Sequence, residues 1–76
     1  MKYERFQRRL ASRLLELRQT AGLSQEQLAV RAGITRQHLQ RLEAGQNDPK
    51  LETVFKLARA FRISIGELVD AAAQGG

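Results

Sequence analysis

The sequence predicts an all-α protein of one domain, built from five short helices. The 76 residues include a single proline, and no stretch alternates β-branched and polar side chains as a half-buried strand would. Apolar residues recur at three- and four-residue spacing along most of the chain. Glycines followed by serine or threonine punctuate the periodic stretches, and these residues stop one helix and start the next.

The first helix is carried by Tyr3, Phe6, Leu10, Leu14, Leu17 and Ala21, spaced 3, 4, 4, 3 and 4. At about 100° per residue they form one narrow stripe. Residues 1–9 read as an amino-terminal extension of this helix, and Gly22 supplies its stop. Ser24 with Gln27 makes a capping box, in which each side chain takes up an unpaired backbone amide. The second helix then runs from Gln25 to Ala32 and turns Leu28, Ala29 and Ala32 inward. Gly33 breaks it, Ile34 plugs the turn, and Thr35 is the next N-cap. The third helix spans Arg36 to Ala44 and ends at Gly45. Residues 46–50 form a loop by composition. The fourth helix carries Leu51, Val54, Phe55, Leu57, Ala58 and Phe61 on one wide apolar arc. Ser64 and Glu67 make a second capping box, opening a fifth helix with Ile65, Leu68, Val69 and Ala72 inward. The tail, 72–76, is expected to fray. Residues 1–76 read as a single domain, with no internal repeat.

Composition excludes several functions. Hydrophobic residues make up 42% of the chain, enough for a packed core. There is no cysteine, so no disulfide framework and no thiolate metal site. The one histidine, His38, rules out a histidine-rich zinc site and has no catalytic partner in sequence. No metal or cofactor is expected, and the chain does not read as an enzyme. The apolar runs are too short to span a membrane, and residues 1–12 lack a signal-peptide core, so a cytoplasmic location is expected. Charge is uneven. Residues 1–41 hold nine basic and three acidic side chains, whereas residues 42–76 hold four basic and five acidic. A basic half fits a polyanionic partner, either nucleic acid or an anionic surface. Within it, Lys2 to Arg13 has five basic residues and one acid. That segment reads chiefly as a structural extension of the first helix, with phosphate contact a minor role and a membrane-surface helix the alternative.

The third helix is the most informative. With Arg36 at zero on a helical wheel, Gln40, Ala44, Gln37 and Arg41 fall within about 140°, and Leu39 and Leu42 lie opposite. Arginine bonds guanine bidentately and glutamine bonds adenine in the major groove, and no acid interrupts the arc. A solvated face of a short amphipathic helix would carry the same residue types. The short second helix, the Gly33 turn and the short third helix favour a helix-turn-helix layout over that simpler reading.

Leu23-Ser24-Gln25-Glu26-Gln27-Leu28-Ala29, Gly33-Ile34-Thr35 and Leu39-Gln40-Arg41-Leu42-Glu43-Ala44-Gly45 closely resemble the Cro/C1-type (XRE) helix-turn-helix family. The likeness continues through Leu51-Glu52-Thr53-Val54, Leu57-Ala58, Ile65 and Leu68, covering roughly residues 10–70. It implies a five-helix lambda-repressor-like domain that binds operator DNA, usually as a dimer. Arg36, Gln37 and Arg41 would then face the bases, with Gln40 at the edge of the reading arc. Gln25 would contact a phosphate and brace the third helix. Thr35 and His38 would meet the backbone, as would Gln46, Asn47 and Lys50 in the loop. Arg18 and Glu43 would form a partly buried ion pair between the first and third helices. Many phage repressors of this family have glutamine at the position of Arg36, so arginine here favours guanine.

Phe61, Ile65, Leu68 and Val69 read first as core, but a chain of this size cannot wrap all of the fifth helix, and their uncovered remainder is the expected patch for a two-fold homodimer on a pseudo-palindromic operator. Double-stranded DNA is the expected partner, with no small-molecule ligand and no membrane. Small members of the family include restriction–modification controller proteins, phage Cro-like repressors and antitoxins. The leading reading is therefore a sequence-specific transcriptional regulator. The alternative is an antitoxin or similar module, for which a protein partner matters more than DNA.

Overall fold

The computed structural model describes residues 2–46 and 48–74, with side chains described within 3–46 and 48–70. The chain is all-helical among these residues: α1 (Lys2–Thr20), α2 (Gln25–Ala32), α3 (Arg36–Glu43), α4 (Leu51–Ala60) and α5 (Ile65–Gln74). Each helix sends one fully buried leucine to the centre: Leu14, Leu28, Leu39, Leu57 and Leu68. Leu10, Ala29, Ala32, Leu42, Val54 and Ala58 complete that core. The long α1 packs against both α3 and α5, while α2 packs against α3 and α4. Truncating any of the five leucines to alanine would cost about 2–5 kcal/mol, a large part of the stability of so small a domain.

The helices are joined by a repeated three-residue device. Gly22-Leu23-Ser24, Gly33-Ile34-Thr35 and Arg62-Ile63-Ser64 each place a left-handed residue first, an apolar residue second and an N-cap third. In each, the apolar residue's amide reaches back to a carbonyl of the preceding helix: Leu23 to Arg18, Ile34 to Ala29 and Ile63 to Ala58, all at 3.0 Å. That bond satisfies a carbonyl the helix would otherwise leave open and presses the apolar side chain onto the core. The caps are formed as well. The Ser24 hydroxyl accepts from the Gln27 amide at 3.0 Å and the Ser64 hydroxyl from the Glu67 amide at 2.9 Å, with both boxes closed by the return bond. Thr35 accepts from the His38 amide at 3.0 Å.

The structure differs from the sequence reading in four places. Leu68 is 0% exposed within the single chain, so it belongs to the core and leaves the expected dimer patch. Leu51 and Phe55 leave the core arc instead, at 71% and 49% exposed. They sit four residues apart on one face of α4, turned to solvent. α3 stops at Glu43, with Ala44 as its cap and Gly45 left-handed beyond it. α5 stays helical to Gln74, three residues into the segment expected to fray, because Ala71, Ala72 and Ala73 are the strongest helix formers. Gly75 and Gly76 lie outside the described residues.

Candidate nucleic-acid interface

α3 is oriented by its back. Leu39 and Leu42 are buried, which turns Arg36, Gln37, Gln40 and Arg41 to solvent together. Ala44, at the end of the same arc, is exposed and adds no bulk. The arc is thus a strip of two guanidiniums and two carboxamides with no acid among them, a donor-rich surface suited to base edges and phosphates.

The one acid on α3, Glu43, is removed from that surface. Its side chain is 5% exposed. Three hydrogen bonds reach it. Arg18 Nε donates to Oε2 at 2.7 Å and Arg18 Nη2 to Oε1 at 3.1 Å. Gln25 Nε2 donates to Oε1 at 3.0 Å. The Arg18 guanidinium, 14% exposed on its side chain, also donates from Nη1 to the Leu23 carbonyl at 2.9 Å. One buried carboxylate therefore ties α3 to α1 and α2, and one guanidinium adds the α1–α2 connector. Buried charges are costly unless fully bonded, and here the paired geometry is bidentate and satisfied on both sides.

The flanking candidates fall around the arc. Gln25 is half-buried, and its amide is committed to Glu43 through one proton. Thr35 is exposed, with its oxygen engaged as the α3 cap. His38 is half-buried and borders a shallow groove with Thr35, Lys50, Thr53 and Lys56. Gln46 and Lys50 are exposed in the α3–α4 loop, and Asn47 lies outside the described residues. Sequence reasoning missed the Leu23 carbonyl as an Arg18 partner. It also missed two contacts that bind the start of α1 to the loop after α3. Tyr3 donates its hydroxyl proton to the Asp48 carboxylate. Arg8 packs against Gly45, where a Cβ would sit 3.8 Å from Arg8 Cγ. No spacing rule links residues so far apart.

Phe61, Ile65 and Val69 of the expected dimer patch are half-buried against the core. Phe55, Ile63 and Ile65 form instead the apolar floor of an open groove edged by Arg59 and Arg62. Among the described residues there is no cluster of three or more His, Cys, Asp or Glu side chains that could hold a metal, and no helix long and apolar enough to cross a membrane.

Two short helices meeting at a Gly33 turn, the second with its apolar back buried and its polar arc free, define a helix-turn-helix domain. The chain belongs to the helix-turn-helix family HTH_3, the Cro/C1-type (XRE) class of transcriptional regulators, whose family model matches residues 14–68. It is 38% identical, over 79% of its length and 78% of the relative's, to an uncharacterized HTH-type transcriptional regulator of Sinorhizobium fredii. It is 39% identical over 78% of its length to the cryptic phage CTXphi transcriptional repressor RstR of Vibrio cholerae, of which the match covers 53%. Among solved structures it is similar to the restriction-modification controller protein C.AhdI of Aeromonas hydrophila, with a TM-score of 0.78 and 41% identity. That match covers 80% of this chain and 92% of the other.

Proposed function

We propose that this protein is a sequence-specific regulator that binds a pseudo-palindromic DNA operator as a homodimer, with α3 in the major groove. The observation that carries this reading is the exposed Arg36–Gln37–Gln40–Arg41 arc on a helix locked from behind by Leu39, Leu42 and the Glu43 brace. Arg36 and Gln37, in the first turn, reach base edges, and Arg41 and Gln40 follow one turn on. Thr35, His38, Gln46, Asn47 and Lys50 contact phosphates that set the register, and Gln25 joins them with its second amide proton. Copy number and operator occupancy then set the response.

The partner copy covers the Phe55, Ile63 and Ile65 groove, and the half-buried Phe61 and Val69 belong to the same proposed interface. Its apolar floor and the half-exposed Phe55 support this placement. Two-fold symmetry would then hold the recognition helices about one DNA turn, roughly 34 Å, apart.

Selection from a random duplex library, followed by titration of the enriched pool over a salt series, tests the reading. The expected product is a two-fold symmetric motif with half-sites one turn apart. Weak binding without an enriched motif would overturn it. Phe55→Glu tests the dimer: analytical ultracentrifugation should show a monomer with an unchanged helical spectrum, and an intact dimer would place the interface elsewhere.

A further inference from the structure

The first three turns of α1 precede the family-matched segment, and they are strongly basic, with five basic residues and Glu4 as the one acid in residues 2–13. We infer that this part of α1 is a second phosphate-binding surface, on which Arg5 and Arg8 grip duplex backbone beside the half-site read by α3. The inference rests on the DNA-binding reading above and extends its footprint.

Placement carries it. Gly45 follows directly on Ala44, the last residue of the reading arc, and a Cβ there would lie 4.0 Å from Arg8 Cα and 3.8 Å from Arg8 Cγ. α1 thus passes close enough to the turn that ends the recognition helix for a Cβ added there to touch it. Nearer the start of α1, the Tyr3 hydroxyl donates to Asp48, so the helix is held to the α3–α4 loop at two levels. Gln46 and Lys50 of that loop are exposed just beyond the end of the arc. Arg5 and Arg8 stand three residues apart, hence on one face of α1, and both are exposed. Neither is in an ion pair among the described residues. Tyr3 and Phe6 stack on the neighbouring face with ring centroids 6.4 Å apart, which stiffens the helix end that presents them. Two exposed guanidiniums on a rigid helix beside the reading helix match the spaced negative charge of a DNA backbone. The bare alternative is a strut that only props the loop.

The test is Arg5→Gln/Arg8→Gln, compared with Arg5→Lys/Arg8→Lys, on the full chain. Binding is measured on a selected operator with long flanks and on the same operator trimmed to its motif. Each phosphate left without its cation removes about 0.9 from the slope of log affinity against log salt, so the glutamine pair, lost from both copies of the dimer, should remove about 3.6. The gap between wild type and that variant should then shrink about 150-fold from 50 to 200 mM salt. The lysine pair should keep the slope, the selected motif should not change, and trimming the flanks should erase the wild-type advantage. An unchanged slope would overturn the inference, as would an affinity loss that is equal at every salt and accompanied by a lower Tm, the mark of a strut. If the wild type selects no motif, the operator reading fails separately, while the slope on random duplex still reports whether Arg5 and Arg8 meet phosphates.

Discussion

The connector between α2 and α3 and the connector between α4 and α5 are made of the same hydrogen bonds but begin with different residues. Gly33 has φ 73° and Arg62 has φ 59°, both left-handed. Each donates to the carbonyl three residues back, Gly33 to Val30 at 3.2 Å and Arg62 to Arg59 at 3.0 Å. The next residue, Ile34 or Ile63, closes the longer bond. A side chain at Gly33 would meet nothing within 4 Å, so glycine there serves the backbone and not the packing. At Arg62 the chain accepts the left-handed cost of a residue with a Cβ, about 1–2 kcal/mol. The turn that sets the angle of the recognition helix is therefore free of strain, whereas the turn beside the proposed dimer groove holds some. The two halves of the molecule differ in the same way overall. Behind α3, Glu43 is fully bonded and Leu39 and Leu42 are buried; along α4, Leu51 and Phe55 are exposed and Arg59 and Arg62 stand over an apolar groove.

The sharpest way to break the contrast is at its best-satisfied point. Glu43→Ala leaves the Arg18 guanidinium and the Gln25 amide without their acceptor inside the α1–α2–α3 junction. Removing one partner of a buried pair costs about 3–5 kcal/mol. At about 4–8 °C per kcal/mol for a domain of this size, calorimetry should show a large fall in Tm, and operator affinity should fall with it. Unchanged values for both would mean that the brace neither stabilises the domain nor positions α3. Arg36→Ala leaves that brace intact. It should cost about 1–3 kcal/mol of affinity and relax the choice at one base position, read by repeating the selection with the variant. An equal loss on every sequence would reassign Arg36 to a phosphate.

Much of this was legible in the sequence because the decisive signals are local. Gly33, Ile34 and Thr35 announce a stop, a plug and a cap within three residues, and Ser24 with Gln27 or Ser64 with Glu67 marks a helix start from spacing alone. The reading arc of α3 followed from a helical period and the two leucines that had to face inward. The outer half was harder. Leu51, Phe55 and Leu68 all sit at helix-compatible apolar positions, and only the tertiary packing of the helices decides which is covered. Periodicity gives the direction of a side chain on its own helix and not which neighbour stands over it. Arg62 carried no signal at all, since arginine is an ordinary residue at a helix end and its left-handed backbone is imposed by the Ile63 bond and the Ser64 cap. The ties from Tyr3 and Arg8 to the α3–α4 loop are likewise tertiary.

Two smaller substitutions test the connectors directly. Gly33→Ala places a Cβ in open space at a left-handed backbone. The strain of about 1–2 kcal/mol is partly offset by the smaller entropy of the unfolded alanine chain, leaving a loss of about 1 kcal/mol. A shift in the urea midpoint with an unchanged slope would report it, and no shift would mean that the turn relaxes out of the left-handed region.

Arg62→Gly is the mirror image and the smallest effect expected. It relieves the left-handed strain but restores glycine's freedom to the unfolded chain, so the two terms nearly cancel and leave a gain of about 0.5 kcal/mol. The measurement belongs in the Phe55→Glu background, where the guanidinium has no partner copy to touch and dimerisation does not enter the stability. A gain there, paired with weaker dimerisation of Arg62→Gly in the otherwise wild-type chain, would show that arginine is kept at a strained position for the partner it meets across the groove. A loss of stability in the monomeric background would show instead that the arginine stem packs on its own chain, against Ile63, by more than the backbone strain costs. In that case the two connectors would be equally well satisfied, one by glycine and the other by a covering side chain, and the contrast between the halves would narrow to the exposed edge of α4.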